Sequence, residues 1–283
     1  MKFALVVNLS KERAIKYAKK ISLFLLDKNA EIAMIEECSQ YFKGIHIHYS
    51  KNITELFEYC DMAITVGGDG TIIHAAKYAA KADKQLIGVN VGRLGFAADV
   101  EPHEYEQLER LITGDYTTEE RILLDVEVIK EDGSKHYLAV NDVARGQLSK
   151  TIDLHLTLDG DEISKYRADG LLFATPTGST AYSLSAGGPI LAPKMECILM
   201  TPVCPHSLFS RSVLFSGESE LSVHVKIPEE CCCVLTIDGE KNVPVLATDR
   251  VVIRKSDLKL KLALLHNRNF YKLLNEKLKE RDF

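Results

Sequence analysis

The sequence predicts two domains of different class: an N-terminal α/β domain on a parallel sheet, and a C-terminal β-sandwich. Three observations predict them. Residues 1 to about 115 alternate short apolar runs with stretches of helical period, the pattern of strands joined by crossover helices. From about 118 to 265 short alternating runs replace that period. Asp132-Gly133, Asp159-Gly160 and Asp238-Gly239 each lie between two such runs, the strongest short-range hairpin signal. The domains are therefore expected at 1–117, joined by a helix over 268–283, and at 118–267.

Residues 3–7 form an apolar run that reads as a first buried strand. A helix is expected over 11–26, with Ile15, Ala18, Ile21 and Leu25 on one face. Strands follow at 31–35 and 62–66, then a glycine-rich turn, a helix over 72–82 and a strand at 86–89. Parallel strands at this spacing require right-handed crossovers. In the second half one helix interrupts the strands near 179–186. The final helix, 269–279, sets Phe270, Leu273, Leu274 and Leu278 on one face, placed to return to the first domain.

The 283 residues carry 46% hydrophobic and 27% charged side chains and a formal net charge of −5. That is a globular composition, and it lacks the basic excess of a nucleic-acid binder. Without a run of about 18 apolar residues no transmembrane helix is expected. The apolar start, charged again by 10–13, is too short for a secretory leader. The expectation is a cytoplasmic protein with no membrane or nucleic-acid partner. Seven cysteines include Cys231-Cys232-Cys233; neighbouring strand residues face opposite ways, so these read as strand thiols in a reducing compartment rather than metal ligands.

The chemistry concentrates at Gly67-Gly68-Asp69-Gly70-Thr71, between a buried strand and a helix. Glycines there let a ligand approach the backbone, and amides at a helix start favour an anion. Asp69 would repel a phosphate, yet it suits a hydroxyl that attacks phosphorus. The plain alternative is a tight turn with Asp69 capping the helix. A second run, Asp169-Gly170 through Thr175-Pro176-Thr177-Gly178-Ser179-Thr180-Ala181-Tyr182, reads either as a capped helix start or as a nucleotide-facing loop.

Together these segments resemble the NAD kinases, within a superfamily that includes diacylglycerol kinases and, more loosely, phosphofructokinases. Gly67 to Thr71 matches the family's Gly-Gly-Asp-Gly-Thr signature, and Thr175 to Tyr182 its second. Asn90-Val91-Gly92-Arg93-Leu94-Gly95-Phe96 resembles its Gly-x-Leu-Gly-Phe loop. Asn141-Asp142 resembles its Asn-acid pair, and Pro205-His206-Ser207-Leu208 a further block. Asp142, Ser212 and Glu240 stand where glutamate, proline and glutamine are usual.

The resemblance implies a Rossmann-like α/β domain, a β-sandwich, and a C-terminal helix returning to the first domain. It implies transfer of the terminal phosphoryl group of ATP, or of polyphosphate, to the 2′-hydroxyl of the adenosine ribose of NAD, with Mg²⁺ or Mn²⁺, in a homodimer or homotetramer. Asp69 would be the catalytic base, with Gly67, Gly68, Gly70 and Thr71 as phosphate cradle. Asn141 and Asp142 would read adenine, and Thr177, Thr180, Ala181 and Tyr182 would surround the adenosine. Asp169 would face the nicotinamide half, Phe96 would wall the pocket, and Arg167 completes the NAD-binding set. The sequence names no metal ligands, as Mg²⁺ often binds through substrate phosphates. Arg93, Arg145, Arg167 and Lys165 are weighed between phosphate contact and plain surface, and His206 between ligand contact and structure; His46 and His48 receive no role. The rival readings are a diacylglycerol- or sphingosine-type lipid kinase, which would expose apolar surface, and a non-catalytic NAD(P) sensor, which would lack Asp69.

Overall fold

The structure, a computed structural model, describes residues 1–92, 95, 98–146, 151–207, 210–226, 233–266 and 269–281. Arg93, Phe96, Leu208, Cys231, Cys232 and the side chain of Leu278 lie outside the described residues. The chain forms two compact units, residues 1–120 with 259–283, and residues 121–258.

In the first unit the elements run β1 (Lys2–Val7), α1 (Glu12–Asp27), β2 (Glu31–Ile35), β3 (His48–Ser50), α2 (Ile53–Tyr59), β4 (Met62–Gly67), α3 (Asp69–Lys81), β5 (Gln85–Asn90) and α4 (Glu109–Thr113). The strands pair in the order β3–β2–β1–β4–β5, every pair parallel. Residues 261–262 of a late strand add to the other edge of β5, also parallel. The α1 face Ala14, Ala18, Ile21 and Leu25 packs on Phe3, Leu5, Ile32, Met34 and Ile64 in one core. Every residue of β4 is buried, as a parallel sheet covered on both faces requires. The register Val7↔Val66 and Val66↔Val89 sets the carboxyl ends of β1, β4 and β5 side by side. The segments 8–11, 68 and 91–92 therefore leave the sheet at one end, where open α/β sheets bind ligands.

The second unit begins within β6 (Thr117–Lys130). It continues with β7 (Gly133–Ala139), β8 (Asp142–Gly146), β9 (Ile152–Leu158), β10 (Asp161–Ala168), β11 (Gly170–Ala174), α5 (Tyr182–Ser185), β12 (Cys197–Val203), β13 (Val213–Ser216), β14 (Leu221–Lys226), β15 (Cys233–Ile237), β16 (Lys241–Val245) and β17 (Arg250–Leu264). One antiparallel set runs β10–β9–β14–β17, with β6 on β17 and β7 on β6; the other runs β13–β12–β11–β8–β15–β16. Val126, Leu154, Leu156 and Val223 from the first meet Val143, Leu171, Phe173, Met200 and Leu235 from the second in one core, the arrangement of a sandwich. The last helix, α6 (Phe270–Arg281), belongs to the first unit and buries Leu274.

Asp159 and Gly160 take left-handed φ of 50° and 95° between paired Leu158 and Asp161, the conformation of a two-residue type I′ hairpin. Asp238 and Gly239, at 52° and 67°, open a turn closed by the Glu240 amide on the Ile237 carbonyl at 3.0 Å. The β6–β7 turn is shifted by one residue: Lys130 pairs with Gly133, so Glu131 and Asp132 form the loop. The helix expected near 179–186 is broken into a 3-10 turn, Gly178–Thr180, and the four-residue α5, because Ala181 leaves the helical region at φ −95°, ψ −124°. The sequence reading also lacked α2, although its start carries a capping signal: Asn52 Oδ1 accepts from the Glu55 amide at 3.0 Å.

Candidate functional site

In the first unit the site is built on the junction of β4 and α3. Gly68 is the N-cap, in extended conformation (φ −117°, ψ −172°), and Asp69 is the first helical residue, so Asp69 does not cap the helix. No side chain caps α3 among the described residues, and amides at such a helix start favour an anion. Each glycine makes room for something specific. A Cβ on Gly67 would lie 2.1 Å from Thr71 Oγ1, and one on Gly95 would lie 2.0 Å from Asp69 Oδ1. Glycine at 95 thus lets the backbone of that residue approach the Asp69 carboxylate. A Cβ on Gly70 would meet nothing within 4 Å, so this glycine keeps open the exposed approach to the helix start. The segment 91–92 is tied to the turn by the Val91 amide on the Gly67 carbonyl at 2.7 Å, and buried Asn90 accepts the Gly92 amide at 3.0 Å.

Lys11, which the sequence reading placed only at a helix start, reaches this turn. The Asn8 amide on the Val66 carbonyl (3.0 Å) and the Lys11 amide on the Asn8 carbonyl (3.2 Å) hold the 8–11 loop beside β4. The ammonium then overhangs two glycines: it lies 3.8 Å from the Cβ position of Gly68 and 3.3 Å from that of Gly92. Separated from Asp69 by most of βαβαβ, Lys11 could be found only through the strand order.

In the second unit Asn141-Asp142 and the 175–182 run are packed on each other. The Thr175 amide donates to the Asn141 carbonyl at 2.9 Å and the Thr175 hydroxyl to the Val140 carbonyl at 2.7 Å. Thr175 Oγ1 in turn accepts the Gly178 amide at 3.0 Å. A Cβ on Gly178 would stand 2.0 Å from the Asn141 carbonyl oxygen, so only glycine permits this approach. Thr177 receives Arg121 Nη1 on its hydroxyl at 3.4 Å, and the Thr180 hydroxyl donates to the Thr177 carbonyl at 3.3 Å. Asp238, read from the sequence as a hairpin residue alone, underlies the pair. Its carboxylate accepts the amides of Val140 (3.1 Å), Asn141 (2.7 Å) and Asp142 (3.1 Å), while its own amide donates to the Asp142 carbonyl at 2.8 Å. The Asp142 side chain is 6% exposed. Burial, with a smaller push from Asp238 and an opposing amide bond from Tyr182, raises its carboxyl to a pKa of about 7.

Residues 3–116 match the family described as ATP-NAD kinase N-terminal domain, and residues 141–265 match the ATP-NAD kinase C-terminal domain. The chain belongs to the NAD kinase family. The NAD kinase of Natranaerobius thermophilus is 36% identical over 278 residues, covering 97% of this chain and 96% of that one. That of Chlorobium phaeovibrioides is 37% identical over 281 residues and 98% of each. Among solved structures, an NAD kinase from Archaeoglobus fulgidus in complex with ATP superposes with a TM-score of 0.78 at 25% identity, over 99% of both chains. Yeast NADH kinase complexed with NADH shares the fold, with a TM-score of 0.87 at 24% identity over 99% of this chain and 87% of that one.

Other residues weighed in this NAD kinase family member are sorted by the structure. Arg145 is neither phosphate contact nor surface: it is 1% exposed, donating to the carbonyls of Val223, Asp249 (3.1 Å) and Leu246 (3.4 Å). Burial lowers its pKa to about 10. Lys165 pairs with Glu162 at the surface, 3.1 Å away. Arg167 and Asp169 are exposed at the β10–β11 turn, where the Arg167 carbonyl accepts the His206 amide at 2.8 Å. The His206 ring meets Thr151 Oγ1 at 3.1 Å. The unusual Ser212 bonds Thr201 Oγ1 at 3.2 Å, and His48 stacks on Tyr59. Among the described residues no group of three or more His, Cys, Asp or Glu could hold a metal, and no helix is long and apolar enough to cross a membrane.

Proposed function

We propose that the chain transfers the terminal phosphoryl group of ATP to the 2′-hydroxyl of the adenosine ribose of NAD, giving ADP and NADP. The observation that carries the reading is the Asp69 carboxylate, lying against Gly95 at the first turn of α3 beside amides suited to phosphate. Asp69 accepts the proton of the 2′-hydroxyl as that oxygen forms its bond to the γ-phosphorus and the β–γ bridge breaks toward ADP. The start of α3 and the Lys11 ammonium balance the donor's charge; the chain's net charge of −5 offers no attraction of its own. Lysine suits this as a compact charge with three donors.

Asn141 and Asp142 receive the adenine, and Asp169 the nicotinamide half. Their spacing supports this: along paired β8 and β11, Asp142 is opposite Ala174 and Gly146 opposite Gly170, with Asp169 against Gly146. Four residues of strand span about 13 Å, which suits an extended dinucleotide. Thr177, Thr180, Ala181 and Tyr182 complete the adenosine site. A divalent cation fits the cradle as one carried by the donor's phosphates, since Asp69 is a single carboxylate and Mg²⁺ keeps waters as further ligands. The cation would neutralise phosphate charge during transfer. We place the chain in the cytoplasm, where the buried thiols of Cys38, Cys60 and Cys197 stay reduced. A homo-oligomer remains the expected assembly.

The test is NADP formation by purified protein from NAD, ATP and Mg²⁺, read with an NADP-specific dehydrogenase. NADP produced in proportion to enzyme supports the reading. Folded protein that forms none with either ATP or polyphosphate refutes it.

A further inference from the structure

Asp238 is the acid that the sequence assigned to a turn and that the reaction does not use. A hairpin needs from this position only a left-handed backbone, which asparagine or glycine supplies equally. Its carboxylate instead gathers three consecutive amides, at Val140, Asn141 and Asp142, within 2.7–3.1 Å. Such a ring of donors suits a negative charge. That charge stands next to the buried carboxyl of Asp142. Two adjacent acids, one supplied with amides and one shielded from water, resist being ionised together.

We propose that Asp238 is a positioning residue of the dinucleotide site: its carboxylate fixes the Asn141-Asp142 turn, and its charge adds to burial in keeping the Asp142 carboxyl neutral, so that Asp142 meets adenine as an amide would. The proposal rests on the assignment of adenine to this pair. A neutral carboxyl offers one O–H donor and one carbonyl acceptor, which match a ring nitrogen and the exocyclic amine of adenine, as Asn and Gln do. An ionised carboxylate offers acceptors alone. Base recognition therefore turns on a proton, and no covalent bond changes.

Among the described residues, groups on three elements face Asp142 or its strand. Asp238 faces it from the β15–β16 turn, and the Tyr182 amide reaches it from the 175–182 loop. β11 pairs with it through Ala174; the Arg121 guanidinium of β6 is bonded to the Thr177 hydroxyl and is not among the groups that shift Asp142. The pKa of about 7 agrees with a carboxyl that is neutral below neutrality and ionises above it.

The experiment is isothermal titration of NAD into the full chain from pH 6 to 8.5, for the wild type, Asp142→Asn and Asp238→Asn. Wild-type affinity should fall at least fivefold across the range. Asp142→Asn should bind with a constant that does not follow pH, and at pH 8.5 it should bind at least fivefold more tightly than the wild type. Asp238→Asn should move the wild-type inflection to lower pH. An Asp142→Asn variant weaker than the wild type at pH 8.5 would overturn the inference, as would a pH-independent wild type. Should Asp238→Asn fail to fold, infrared spectroscopy at pH 6 replaces it: the protonated-carboxyl band must be lost in Asp142→Asn, and its absence from the wild type refutes the neutral acid. A wild type that binds no NAD at any pH defeats instead the function on which this inference rests.

Discussion

Gly178→Ala is a local perturbation whose size follows from the geometry. The added methyl would sit 2.0 Å from the Asn141 carbonyl oxygen, 2.4 Å from its carbon and 2.7 Å from its Cα. Backbone atoms cannot rotate away as a side chain can, so relief to an ordinary contact needs a shift of roughly 1 Å or more. Asn141 is held on both sides, its carbonyl by the Thr175 amide at 2.9 Å and its amide by Asp238 at 2.7 Å. The shift thus costs overpacking of about 1–3 kcal/mol and one or two hydrogen bonds at about 1 kcal/mol each. A total near 3 kcal/mol lowers the melting temperature by about 5–10 °C for a chain of this size. Because the displaced residue is Asn141, the KM for NAD should also rise about tenfold or more. Differential scanning fluorimetry and NADP-formation kinetics read the two effects. A melting temperature within about 1 °C of the wild type, with KM within twofold, would refute the close approach of the two segments.

Three further outcomes are expected. Lys11→Ala should raise the KM for ATP about tenfold while leaving the NAD dissociation constant within twofold, with Lys11→Arg intermediate; an unchanged ATP KM would remove Lys11 from the donor site. Asp142 holds its proton to about pH 7 in the folded chain, against the ordinary value of 3.8. Unfolding free energy should therefore fall as pH rises through that window, by at most about 4 kcal/mol at 1.36 kcal/mol per unit. Urea midpoints at pH 5 and 7.5 should converge in Asp142→Asn relative to the wild type, and equal pH slopes in the two proteins would contradict the raised value. Arg145→Met leaves the carbonyls of Val223 and Asp249 without their donor, so denaturation should show a loss of about 2–4 kcal/mol with NAD KM unchanged; a normal midpoint would show that water or repacking replaces it.

The parts of the fold with a local cause were legible in the sequence. Apolar runs gave the parallel strands, and Asp159-Gly160 gave its hairpin because two left-handed residues in succession leave few alternatives. The geometry of the Gly-Gly-Asp-Gly-Thr turn was legible, since strand end, glycines and helix start are contiguous. Properties set by distant residues were not legible. Asp238 carries a turn signal that conceals its bonds to residues 140–142. Lys11 reads as an ordinary helix start until β1 is laid beside β4. Arg145 resembled a surface residue because arginine is seldom fully buried, and no neighbour in sequence announces the carbonyls that receive it. The helix break at Ala181, in a run that packs on Asn141 through Thr175 and Gly178, is not encoded by period alone.

The role of Asp69 is tested most directly by Asp69→Asn, measured for NAD binding by calorimetry and for phosphoryl transfer in a single turnover. The carboxamide keeps the shape against Gly95 but cannot take the hydroxyl proton. NAD should bind within a fewfold of wild type while transfer slows by roughly 100-fold or more. Transfer at a near-normal rate would contradict the assignment of Asp69 as the base, and with it the chemistry read from the glycine-rich turn.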